Sequence, residues 1–328
     1  DTMKKITVKS YAKINLSIDV GKAQPNGFHD VDMIMQQLAF HDDVEISFEA
    51  NADSPNQDNS GIESDRGKPW EKFQIKLTTN RVYLPTDERN LAYRAAELMI
   101  NRFGEKKNGG KIIISIFKRI PVGAGMAGGS GNGAAVVHGI NALWKLKLSL
   151  AQICDICEEL GSDVPFCALG QAKMNKKLPA PVGNDKMAAS CVRARGRGTE
   201  MKKLRGISKA VVIAKPNFSI STAEVYANID DAVVDRRPNN DRLETMLNEK
   251  SSDIYEEFIN VLENYTLKAY PAVGVLKSKM KKYNPRVCLM SGSGPTVFAV
   301  FDDMNDAMML SDALRKEGYE SYWTYTAR

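Results

Sequence analysis

Four glycines fall within seven residues in the segment Pro121-Val122-Gly123-Ala124-Gly125-Met126-Ala127-Gly128-Gly129-Ser130, and no other stretch restricts the fold so tightly. Without Cβ atoms the backbone can turn sharply and approach a ligand closely. Helical spacing follows over 130–146, so the free N–H groups of a helix start adjoin the turn and suit a polyphosphate. Gly123, Gly125 and Gly128 also satisfy G-x-G-x-x-G, the dinucleotide pattern. That fold needs a strand running straight into the glycines and an acidic residue about 20 positions later. Here Lys118-Arg119-Ile120-Pro121 intervenes, and no such acid ends a second strand. A turn that only packs a helix on a sheet is the third reading.

With 328 residues the chain is about twice a common domain length of roughly 150, which leads us to expect two domains. Alternating apolar positions (Ile6, Val8, Ile14, Leu16, Ile18, later Val44, Ile46, Phe48) mark strands. A polar stretch over 51–72 reads as an exposed excursion. Its Gly61 and Gly67-Lys68 miss the P-loop spacing by one residue, and Pro69 stands where Ser or Thr is required. A helix is expected from Asn90, with Leu91, Ala95, Leu98 and Met99 on one face and Gly104 as its stop. A strand over 111–117 precedes the glycines. Ser149 and Gln152 form a capping box for a further helix closed by Gly161, and a basic stretch over 171–190 reads as a loop. Past Arg205 strands and helices alternate again. The expectation is an α+β chain of two domains, 1–205 and 206–328.

Subtracting 40 acids from 45 bases leaves +5, spread along the chain. That suits phosphorylated small molecules and lacks the basic stripe with interleaved aromatics of a nucleic-acid surface. No apolar run reaches the ~20 residues of a membrane span, and the start of the chain enters a strand pattern rather than a leader. Five cysteines argue for a reducing, cytoplasmic setting over a disulfide framework. Cys154 and Cys157 form a C-x-x-C, read as buried structural thiols because no second ligand pair stands at zinc spacing.

The segment 121–132 resembles the phosphate motif of the GHMP kinases. An early motif, Tyr11-Ala12-Lys13-Ile14-Asn15-Leu16, and a late one, Leu289-Met290-Ser291-Gly292-Ser293-Gly294, complete the likeness. Asn26-Gly27-Phe28-His29-Asp30, Leu160-Gly161-Ser162-Asp163-Val164-Pro165-Phe166 and Lys215-Pro216-Asn217-Phe218-Ser219 resemble, in the same order, the branch that phosphorylates a diphosphocytidyl-methylerythritol. The resemblance implies a ribosomal-protein-S5-like N-terminal α/β domain, a ferredoxin-like C-terminal domain, and a monomer or weak homodimer. It also implies ATP with Mg²⁺ as cofactors and a small-molecule substrate carrying a cytidine diphosphate. Another GHMP small-molecule kinase and a catalytically weak nucleotide-binding paralogue are the alternatives.

Residue by residue, the likeness makes Asp163 the general base and Lys13 its cationic partner. Read without it, Asp163 closes its own turn, and Lys13 either snorkels or pairs with an anion. ATP contacts fall on Asn90, Leu91 and Lys118 and on the loop residues Pro121, Gly123, Ala124, Gly125, Met126, Ala127, Gly128, Gly129, Ser130 and Gly131, with Ser130 a possible Mg²⁺ contact. Asn90 alone reads equally as a helix cap, and Lys118 as a solvated charge at a strand end. For the substrate, Phe28 and Tyr226 are expected to stack on the cytosine and His29 to read its edge, with Asn15, Arg197 and Thr222 nearby. The bland reading makes Phe28 and Tyr226 core aromatics. The chain departs from the family at Gly131, where a hydroxyl is usual, and at Gly133, where alanine is usual.

Overall fold

Two long strands, β1 (Lys5–Ala23) and β2 (His29–Ala50), open the fold; burial alternates at the start of β1 and over 42–46 of β2, while residues 10–18 and 33–38 are buried on both faces. The computed structural model describes residues 4–52 and 69–328, without the side chains of Pro69 and Trp70. There follow β3 (Phe73–Thr79), α1 (Leu91–Phe103), β4 (Gly110–Phe117), α2 (Gly128–Leu143), α3 (Leu150–Glu158), α4 (Val164–Met174), β5 (Cys191–Gly196), β6 (Glu200–Lys203) and β7 (Ala210–Lys215). The chain continues through α5 (Thr222–Asn228), α6 (Asn240–Asn248), α7 (Glu263–Ala269), α8 (Pro271–Lys281), β8 (Val287–Met290), β9 (Val297–Phe301), α9 (Met304–Lys316) and β10 (Glu320–Tyr325). It divides into two compact units. One comprises Asp1–Ser10, Asp42–Lys118 and Gly129–Lys186; the other comprises Tyr11–His41, Arg119–Gly128 and Met187–Arg328. The expected boundary at Arg205 lies within the second unit.

In the first unit, residues 43–50 of β2 pair antiparallel with β4, and β4 pairs parallel with β3. A parallel pair needs a crossover, which α1 supplies. Ile112, Ile114 and Ile116 of β4 are buried, as are Ala92, Ala95, Ala96, Met99 and Ile100 of α1. The buried face of α1 is therefore rotated from the expected one, with Leu91 and Leu98 only half-buried. From Gly131 to Leu143 every residue of α2 is buried, and a helix so enclosed needs close neighbours. A Cβ on Gly139 would lie 2.5 Å from Ile46 Cδ1, so glycine lets α2 approach β2.

In the second unit, β2 pairs through residues 31–36 with β5, and β5 with β6. A separate antiparallel sheet has the order β10-β7-β9-β8. Ile14, Leu16, Ile34, Val211, Ile213 and Phe298 share its buried core. Arg193 of β5 is buried and bonded to Asp32 (2.7 Å), Asp241 (2.7 Å) and Glu244 (2.9 Å), which ties β2, β5 and α6 together.

Several expectations change here. The loop expected over 171–190 begins inside α4, because Gln171 is buried and its Nε2 donates to the Gly131 carbonyl at 2.8 Å. A 3-10 turn, Val182–Asn184, interrupts the remainder. Of the polar excursion over 51–72, residues 53–68, with Gly61 and Gly67-Lys68, lie outside the described residues, and Pro69–Lys72 form a 3-10 turn. Cys154 and Cys157 are buried free thiols; burial pushes Cys154 up to about 12 and Cys157 well above the ordinary thiol value. Among the described residues no cluster fit for a metal ion occurs, and no helix is long and apolar enough to cross a membrane.

Two glycines of α2 should respond in opposite directions to alanine. Gly139→Ala gains helix propensity but overpacks Ile46 and should lose about 1–2 kcal/mol. A Cβ on Gly133 meets its nearest neighbour, on Leu91, at 3.4 Å, so Gly133→Ala should be neutral or gain up to about 1 kcal/mol. Urea unfolding of both variants checks this; equal shifts would show that Ile46 does not confine Gly139.

Candidate active site

Residues two apart on a strand share a face, and β1 thereby buries Lys13 (4% exposed) beside Asn15 (1%). A buried ammonium needs strong acceptors. Lys13 Nζ donates to Asn15 Oδ1 at 2.6 Å and to the Gly125 carbonyl at 3.1 Å. The Lys13 N–H also donates to the Met126 carbonyl at 3.2 Å, so strand and glycine loop are joined twice. The late glycine turn bonds to the same groups. Ser291 Oγ donates to the same Gly125 carbonyl at 3.0 Å, and the Gly292 N–H donates to Asn15 Oδ1 at 3.0 Å. Asn260 Nδ2 holds that turn through the Met290 and Gly292 carbonyls at 2.9 and 2.8 Å. Thr222 Oγ1 lies 2.9 Å from Ser293 Oγ, bringing the head of α5 to it. Gly125 is at φ 79°, and a Cβ there would sit 2.4 Å from the Ser291 carbonyl oxygen, so only glycine serves.

The loop from Pro121 through Gly123, Ala124 and Met126 to Ala127 leads directly into α2 at Gly128. Ala127 itself holds the left-handed conformation, φ 55°. Gly129 is exposed, and a Cβ there would meet nothing within 4 Å. The first turn of α2 is thus open to an anion at its N–H groups. Ser130 is half-buried, whereas Gly131 is buried with its carbonyl engaged by Gln171. Asn90 caps α1: Oδ1 accepts from the Ala92 N–H at 3.0 Å, and Nδ2 donates to the Pro85 carbonyl at 3.0 Å. Leu91 packs against Gly133.

Lys118 is not a solvated strand-end charge. It is 4% exposed, its Nζ donating to Asp42 at 2.6 Å and Asn132 Oδ1 at 2.9 Å. Asn132 Nδ2 in turn donates to Asp42 at 3.0 Å and Ser10 Oγ at 3.3 Å. The cluster fixes the first turn of α2 to β2 and the end of β4.

The turn before β2 displays Phe28, whose N–H donates to Asn26 Oδ1 at 3.0 Å. Phe28 is 53% exposed and is therefore no core aromatic; the Arg197 guanidinium carbon lies 4.3 Å from its ring centroid. His29 faces Tyr226 at 5.8 Å between centroids, and its Nε2 lies 3.2 Å from Asp230 Oδ1. The second unit thus gathers Phe28 with Arg197, and His29 with Tyr226. Asp163 stands half-buried at the head of α4, and its side chain makes no capping hydrogen bond. The self-capped turn allowed by its sequence position does not form.

Comparison with known proteins adds identity to this geometry. The GHMP kinases N terminal domain matches residues 90–171 and the GHMP kinases C terminal domain residues 234–320. A 4-diphosphocytidyl-2-C-methyl-D-erythritol kinase of Alkaliphilus metalliredigens is 39% identical over 309 residues, covering 93% of this chain and 91% of that protein. The kinase of the same name from Clostridioides difficile is 36% identical, covering 97% and 94%. The chain belongs to the GHMP kinase family. Within the family it groups with these kinases. A solved 4-(cytidine 5'-diphospho)-2C-methyl-D-erythritol kinase shares the fold with a TM-score of 0.73 at 23% identity, covering 98% of this chain and 100% of that one. Homoserine kinase from Cytophaga hutchinsonii does so at 0.66 and 17%, covering 100% and 96%. The α+β, two-sheet architecture is accordingly the GHMP kinase fold.

For this GHMP kinase the sequence left several supporting residues unassigned. Asp42, Ser10 and Asn260 belong to no glycine motif, and nothing in their neighbours marks them as buried partners. The late glycine motif was visible, but not its bond to Gly125. Asp42→Asn should destabilise the fold by about 3 kcal/mol, because it leaves the buried Lys118 without its counter-charge. Adding Lys118→Met should recover a large part of that loss. Denaturation of the single and double variants checks this; additive losses would show that the two side chains do not act as a pair.

Proposed function

We propose that the chain transfers the γ-phosphoryl group of ATP to the 2-hydroxyl of 4-diphosphocytidyl-2-C-methyl-D-erythritol, a step of the non-mevalonate route to isoprenoid precursors, in the cytoplasm. The observation that carries this reading is similarity of 33–39% along nearly the whole chain to kinases of that name. The grouping of an exposed Phe28 under Arg197, with His29 against Tyr226, supports it. In this reading the N–H groups of Gly128, Gly129 and Ser130 hold phosphate oxygens, with Pro121 to Ala127 shaping the approach. Asn90 and Leu91 flank the nucleoside. Lys118 acts as a positioning residue through Asn132. The bound ATP–Mg²⁺ supplies the phosphoryl group and neutralises its charge; Ser130 is the hydroxyl available to the metal, since Gly131 offers none.

Asp163 accepts the proton of the substrate hydroxyl, and its uncapped carboxylate at the head of α4 supports that role. Lys13 stabilises the developing alkoxide, while Asn15 orients Lys13 through the 2.6 Å bond. Asp163→Asn should fold normally and lose about two to four decades of turnover, the range of a general base. Lys13→Met should lose a similar amount, and the double variant little more, because groups acting as a unit are not additive. Fully multiplicative losses in steady-state kinetics would show that the two act independently.

Phe28 and Tyr226 hold the cytosine by their faces and His29 reads its edge, with Arg197 and Thr222 at the rim. Stacking is worth about 1–3 kcal/mol per base. Tyr226→Ala should therefore raise the KM for the cytidine substrate about tenfold and leave that for ATP unmoved. An unchanged KM at unchanged Tm would remove Tyr226 from the cytosine site.

A further inference from the structure

Away from all the residues discussed for catalysis, the second unit contains a cavity of about 430 Å³, within the ~300–1,000 Å³ range of small-molecule sites. Its floor is apolar: Met246 and Leu247 from α6, with Ile254 from the turn beyond, are all buried. Its rim is basic. Arg205, Lys209, Lys250 and Arg286 line it against one carboxylate, Asp302, so four positive charges less one negative leave +3. Asp302 pins two of the cations, accepting from Lys209 Nζ and Arg286 Nε, each at 2.6 Å. Among the described residues no ion pair holds the side chains of Arg205 and Lys250.

Two further observations concern a ligand. Tyr255 lines the cavity, while its hydroxyl is buried behind that wall with no hydrogen-bond partner among the described residues. The aromatic ring therefore adds to the apolar part of the lining. Burial pushes the Tyr255 pKa up to about 12, so the ring is neutral at the cavity wall. Lys250 follows the end of α6 at φ 55°. Its N–H donates to the Leu247 carbonyl and that of Ser251 to the Met246 carbonyl, the paired bonds of a Schellman cap. The position favours glycine, yet a lysine occupies it and faces the cavity with its charge unpaired.

We propose that this cavity binds a small organic anion with an apolar body and a phosphate or diphosphate head, at a site distinct from the kinase centre. The body rests on Met246, Leu247 and Ile254. Arg205 and Lys250 take the head, and the Lys209–Asp302–Arg286 cluster stays fixed beside it. A bare phosphate would leave the apolar floor wet, and an alcohol would leave the cations unanswered.

Calorimetry on the full chain with hexyl phosphate, inorganic phosphate and 1-hexanol tests each half of the claim. Hexyl phosphate is expected to bind one-to-one and at least tenfold more tightly than either partial probe. Lys250→Gly should keep or raise the Tm while weakening hexyl phosphate about tenfold, the worth of one charge-assisted contact. Arg205→Ala should weaken it similarly without loss of Tm. Equal binding of hexyl phosphate and inorganic phosphate would overturn the proposal, as would affinity indifferent to Lys250→Gly and Arg205→Ala, which would place the probe elsewhere. Binding to vesicles containing phosphatidic acid, with none to soluble hexyl phosphate, would assign the face to a lipid surface and also overturn it.

Discussion

The Gly125 carbonyl is the point on which the second unit's site depends. It accepts from the ammonium of Lys13 and from the hydroxyl of Ser291, so one oxygen joins the early strand, the glycine loop and the late glycine turn. Asn15 closes the ring by accepting from Lys13 and from the Gly292 N–H. Each member is needed because Lys13 is buried. An ammonium taken from water must be surrounded by oxygen acceptors or it destabilises the fold by several kcal/mol. Two of its acceptors are the Asn15 amide oxygen and the Gly125 carbonyl. The ammonium is thus held in one place between the strand, the glycine loop and the late glycine turn.

The same constraint explains the glycines. At residue 125 a side chain would occupy the place of the Ser291 carbonyl, and at 123 that of the Ser219 hydroxyl. These two glycines therefore serve the contact between loop and neighbouring turns. Gly129 is different, since nothing confines it. What distinguishes it is access to the start of α2. One glycine-rich motif thus combines two physical demands, close packing first and an open helix end after it.

Much of this was legible in the sequence because it depends on local chemistry. The Ser149–Gln152 box, the Asn90 cap, the strand alternation of β1 and β2 and the glycine loop each follow from neighbours a few positions apart. What escaped was set by partners far along the chain. The solvated-charge alternative for Lys118 fails because of Asp42, which stands 76 positions away. Gln171 looked like the start of a polar loop because the Gly131 carbonyl that satisfies it lies 40 positions back. The face of α1 was misjudged because alanines, weak as hydrophobic signals, form its buried side while Leu91 and Leu98 stay half-buried. Of the candidate site, residue types were readable but their bonds were not: no pattern tells that Asn15 is spent on Lys13 and Gly292, or that Phe28 lies beneath Arg197.

On the proposed function, the GHMP kinase site accepts a cytidine-bearing alcohol. ADP release measured with ATP and Mg²⁺ across 4-diphosphocytidyl-2-C-methyl-D-erythritol, mevalonate, phosphomevalonate and homoserine tests it most directly. Rapid ADP release with the cytidine substrate and background rates with the other three is the expected result. Turnover of any of the others at a comparable kcat/KM, or background rates with all four, would contradict the account.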